Sequence, residues 1–219
     1  MTPNLETAAI KAVETLIAYK VAFAPVEPMP ILKAMAGVLV LSFAEMAVSI
    51  GVDRSSIINT FGMDNRDVIT SICNVNGKSR YVVAYNQRLP FYMLQQALAR
   101  ELGHIILGHD GSRPVDVCQD EAIHFARHLL CPRPLIKSIK DAGIPITVEL
   151  LGNITGCYGR CLAGMRTAPG AHVPAELNRK VKEQFAACVQ NFVDCYSIIT
   201  SGDESPIADF GTFLDGYEE

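Results

Sequence analysis

The chain has 219 residues, 49% hydrophobic and 19% charged, with a formal net charge of -4. That composition suits one packed globular protein and excludes a disordered chain, and the acidic balance leaves no electrostatic footprint for nucleic acid. The longest apolar run, residues 34–50, is interrupted by Ser42 and Glu45, too short and too broken to span a bilayer.

The seven cysteines are odd in number and scattered, which reads as reduced thiols rather than a disulfide framework. Residues 1–6 carry neither a basic stretch nor an apolar core. The expectation is a chain without a signal peptide, soluble and cytoplasmic.

In chain order, residues 7–19 read as an amphipathic helix, with Ala8, Ala12, Leu16 and Tyr19 at helical spacing. The prolines at 25, 28 and 30 end it, and a short helix follows over residues 31–36. Residues 38–43 are apolar and partly β-branched, and predict a buried strand. Residues 44–61 fit no single pattern. Residues 67–74 and 80–85 alternate on either side of Asn76-Gly77, which predicts a hairpin.

The central helix is predicted over residues 91–108, with Leu94, Leu98, Leu102 and Ile106 as its apolar stripe and Gly108 as its stop. Asp116 is expected to cap a second helix that Pro132 ends near residue 131. A third helix covers residues 134–142. Residues 148–165 read as two short helices around Gly152-Asn153. Arg160 and Arg166 supply too little charge for a DNA-reading helix-turn-helix, so this piece is taken as a structural hairpin. Residues 175–199 predict one long helix. The tail 201–219 is acidic, yet Phe210, Phe213, Leu214 and Tyr217 predict that it docks on the body.

The chemistry concentrates on the central helix. Arg100-Glu101-Leu102-Gly103-His104 differs at one residue from H-E-x-x-H, where two histidines one turn apart grip a metal and the glutamate deprotonates its water. Glu101 stands at the base position and His104 at the second ligand. Arg100 stands where the first ligand belongs, and a guanidinium offers no lone pair.

Two segments together resemble the ImmA/IrrE family of zinc metallopeptidases. One is Leu98-Ala-Arg-Glu-Leu-Gly-His-Ile-Ile-Leu-Gly-His109. The other is Asp120-Glu-Ala-Ile-His-Phe-Ala-Arg-His-Leu-Leu-Cys-Pro132, and Tyr85-Asn86 matches the end of the family's preceding hairpin. The resemblance covers residues 37–134. It implies an α+β, gluzincin-like fold, a small twisted sheet packed on helices: a metallopeptidase domain at 1–143 and a helical extension at 144–219. It implies zinc, with His104 and Glu121 as ligands and Glu101 as the general base. It also implies cytoplasmic proteolysis of a repressor-type protein, of the kind often encoded on mobile elements.

Arg100 leaves two functional readings. In one, the chain is a zinc-dependent endopeptidase with weakened or lost activity. In the other, it is an inactive peptidase-like protein that binds a regulatory partner through the old cleft. Against metal, Arg100 removes a ligand and could bridge to Glu121 or Asp120. For metal, Glu121 and His124 share a helical face, so His104, Glu121 and His124 make a two-His, one-carboxylate set without position 100. His109 is a further candidate. The plainer reading of His124 and His128 is a partly exposed surface pair.

Overall fold

The computed structural model describes residues 2–53, 55–57, 68–75, 77–158, 162 and 171–201. The tail from residue 202, whose docking the sequence predicts, and residues 159–161 and 163–165 of the 148–165 piece lie outside the described residues.

Helix α1 (Leu5–Ala18) starts where the Asn4 side chain accepts the Thr7 N–H, and it buries a small-residue face of Ala8, Ala9 and Ala12. Helix α2 (Pro28–Ala34) begins on proline, whose missing N–H costs nothing in the first turn. Strand β1 (Val38–Ser42) gives way at once to α3 (Phe43–Ile50). The switch is local: Ser42 and Glu45 form a reciprocal capping box, and Gly51 ends the helix in the left-handed conformation at φ 70°.

Strands β2 (Val68–Val75) and β3 (Lys78–Tyr85) form the expected hairpin, paired from Val68↔Tyr85 to Val75↔Lys78. β1 lies parallel to β3 on its other side, so the order is β1-β3-β2 and β2 is an edge strand among the described residues. Alternation gives the sheet two partners. Val38, Val40, Tyr81 and Val83 face the main core, while Ala84 and Ile69 meet Phe43 and Ala47 of α3.

Helices α4 (Phe91–Ile106), α5 (Val115–Leu130) and α6 (Arg133–Asp141) follow, then α7 (Val148–Thr155), α8 (Ala175–Gln184) and α9 (Ala186–Ser201). Helix α5 packs against both α1 and α4. Its start differs from expectation: Pro114 occupies the cap, and Asp116 lies in the first turn without capping. There its charge still suits the positive helix end.

Gly152 lies inside α7 rather than between two helices. A Cβ there would sit 3.0 Å from the Tyr158 ring, so the glycine makes room for that ring. Residues 175–199 form two helices, not one. Phe185 at the break is fully buried, and the Gln184 amide donates to the carbonyl of Leu16 in α1 and to that of Val21 just beyond it. Those contacts tie the break to α1 and the turn after it.

One core cluster joins Leu16 of α1, Leu98 of α4, Phe125 of α5 and Leu135 of α6 to Ile154, Val181 and Phe185 from residues 144 onward. The C-terminal helices are thus packed on the body through shared core. No described helix is long and apolar enough to cross a membrane.

Candidate functional site

Helix α4 brings the motif to the sheet because its apolar stripe is buried: Leu98 and Leu102 are fully enclosed. Its approach to α5 depends on Gly103. A Cβ there would meet Phe125 at 3.0 Å and the Ala122 backbone at 3.2 Å, tighter than an ordinary contact, so any larger residue requires the neighbouring helix to give by a few tenths of an ångström. The close crossing sets the residues beside Gly103 against those beside Ala122, and hence Glu101 and His104 on one helix near Glu121 on the other.

A cleft of about 530 Å³ opens between β2 and the C-terminal half of α4. Val68, Thr70 and Ile72 line the strand side, and Arg100, Glu101 and His104 the helix side, with His109 and Gln119 at one end. Thr70 Oγ1 is buried there without a hydrogen-bond partner.

Arg100 turns onto its own neighbour. Its Nε and Nη2 donate to Glu101 Oε1 at 3.4 and 3.3 Å. The first residue of the motif therefore engages the one beside it. Asp120 and Glu121, the partners weighed from sequence, are not its partners; Asp120 is exposed.

Glu121 is held elsewhere. Arg113, from the loop before α5, grips it with two parallel bonds, Nη1 to Oε2 at 2.8 Å and Nη2 to Oε1 at 2.6 Å. The Asn4 backbone N–H donates to Oε1 at 2.7 Å, at the positive end of α1. His109 Nε2 meets Oε2 at 3.0 Å. Burial of this carboxylate works to raise its pKa, but Arg113, Asn4 and His109 together outweigh it and hold the pKa at about 2.

His109 also meets His104, Nδ1 to Nδ1 at 2.8 Å. One imidazole must donate there and the other accept, so the contact selects opposite tautomers. The result is a relay, Arg113–Glu121–His109–His104, running from loop to cleft. The His104 pKa is lowered, by burial first and also by His109 and Arg100, against the opposing pull of Glu101 and Gln119.

The structure thus brings Glu101 and His104 to one cleft, with Glu121 one residue behind, across His109. His124 does not line this cleft. Its ring lies 4.6 Å from that of His128, and the two are 2% and 4% exposed. They are a buried pair, not the partly exposed surface pair read from spacing, because the face of α5 that carries them is covered. Both Nε2 atoms lack partners, and burial depresses both pKa values, that of His128 to about 3.

A metal ion needs lone pairs aimed at one point. Here His109 stands between His104 and Glu121, His124 lies elsewhere, and no group of three His, Cys, Asp or Glu among the described residues is arranged to hold one. Arg113 is the residue at this site that sequence reading missed. Its signal was faint: an arginine before the helix-starting Pro114, in a loop able to fold back over the first turns.

The chain matches no protein-family model, no curated protein and no solved structure. The described architecture defines it as an α+β protein with a small three-stranded mixed sheet.

Proposed function

We propose that this chain is a peptidase-like binding protein, built on the ImmA/IrrE metallopeptidase plan, that holds a segment of a regulatory protein in the cleft without cutting it. One observation carries the reading: both carboxylates that zinc hydrolysis would need are engaged by arginines, Glu101 by Arg100 and Glu121 by Arg113. A guanidinium on either carboxylate occupies oxygen lone pairs that the chemistry would need, and a ligand paired to one is costly to extract.

The cleft suits an extended segment. β2 offers an unpaired edge among the described residues, along which a strand could add by main-chain hydrogen bonds. The preferred partner is a repressor-type protein, as the resemblance suggests.

The test is metal content and cleavage together. The native chain, equilibrated with zinc and dialysed, is expected to carry well under one zinc per chain and to leave a peptide library uncut. Arg100→His restores a donor and should raise occupancy; Glu121→Ala in that background should lower it again. A native chain that holds a full zinc and cleaves, with cleavage lost in Glu101→Gln, would establish the rival reading, a working zinc endopeptidase.

A further inference from the structure

A second pocket, of about 500 Å³, lies away from the cleft, where the end of α5 meets α6 and α7. Its charge is one-sided. Among the described residues, Arg127, Arg133, Lys137 and Lys140 line it with one carboxylate, Asp141. Asp141 is already bound by Lys137 at 2.8 Å to each oxygen. That balance runs against the chain as a whole, which is net negative at -4.

The rest of the wall is apolar: Ile136 from α6, Ile146 before α7 and Leu151 within it. Set among these is His128, 4% exposed, its Nε2 without a partner. The volume falls in the range of small-molecule sites, which join an apolar lining to a few polar groups that fix orientation. An arginine and lysine cluster beside such a lining recognises a carboxylate or phosphate carried on an apolar body.

We propose that this pocket binds a small amphipathic anion, with the carboxylate or phosphate at the Arg127–Lys140 rim and the apolar body against Ile136, Ile146 and Leu151. The site is separate from the cleft and does not depend on what the cleft binds.

The test uses probes that share one apolar body: octanoate, octyl phosphate and octanol, with acetate and inorganic phosphate as anions lacking it. Binding to the full chain is read by calorimetry and by the ring resonances of His128, which lie in the wall. Octanoate, octyl phosphate or both should bind at least tenfold more tightly than octanol and than the small anions, and should move the His128 signals. Which of the two binds more tightly identifies the headgroup.

Lys140→Glu and Arg127→Glu should each weaken the binding at least tenfold, while circular dichroism reports an unchanged fold. Octanol binding as tightly as octanoate would overturn the proposal, since charge would then play no part. Binding that survives both charge reversals, or that leaves the His128 resonances unmoved, would overturn it as well, by locating the anion elsewhere.

Discussion

At Glu121 a buried carboxylate has three donors, and the consequence is a defined acid response. Its pKa is about 2 in the folded chain against an ordinary 4.5. Between these values the unfolded chain binds the proton and the folded chain does not, so stability contributed above pH 4.5 is lost as pH falls through 2. Arg113→Ala should move the folded pKa upward, lower the urea midpoint at pH 7 and flatten the further loss below pH 4.5. A carboxyl titration followed by NMR checks this directly. A Glu121 pKa that stays near 2 in the variant would mean that Asn4 and His109 suffice.

His128 gives a second response in a different window. Its folded pKa is about 3 against an ordinary 6.5. From 6.5 down to 3 the unfolded chain again takes up a proton that the folded chain refuses. The group therefore costs stability as pH falls through that range, by at most about 1.4 kcal/mol per pH unit. His128→Leu removes the titrating group and the unpaired Nε2. Urea midpoints at pH 7 and pH 5 should fall clearly for the native chain and less for the variant. Equal falls in both would count against a buried neutral imidazole.

Among elements, the α4–α5 crossing controls the site. Gly103→Ala gains about 1 kcal/mol of helix propensity, but overpacking costs about 1–3 kcal/mol where the obstacle cannot yield. Here the obstacle at 3.2 Å is the Ala122 backbone, so the helices must separate. The variant should melt at a lower temperature than the native chain. It should also loosen the His104–His109–Glu121 relay, raising the Glu121 pKa. A melting temperature unchanged or raised would show that the crossing has slack.

For the whole molecule, the shared core argues against independent units. Ile154, Val181 and Phe185 close over residues of α1, α4, α5 and α6, and Gln184 is bonded to Leu16 and Val21. Residues 1–143 produced alone would expose that surface. The fragment should lack a cooperative thermal transition, and the intact chain should unfold in one. Phe185→Ala in the intact chain should cost about 3–5 kcal/mol, the range for emptying a buried aromatic site, seen as a lowered urea midpoint. A fragment that melts cooperatively would make the segment from 144 onward an accessory rather than part of the fold.

The sequence by itself determined what neighbours within a few residues decide. The β2–β3 hairpin follows from alternation around Asn76-Gly77, although Asn76 itself lies outside the described residues. α4 and α5 follow from period and proline, and the Glu101–His104 pairing from a single helical turn. The α3 start was equally local, a Ser42–Glu45 capping box inside a stretch that periodicity left open. Tertiary structure alone decided the rest. Arg113 reaching Glu121, His109 standing between Glu121 and His104, and His124 and His128 being buried each depend on where separate elements pack. So does the break at Phe185, where contact with α1 overrides a continuous helical period. Spacing along a chain fixes which face a side chain shares; only packing fixes what that face meets, and an ion pair or a filled ligand position is made of what it meets.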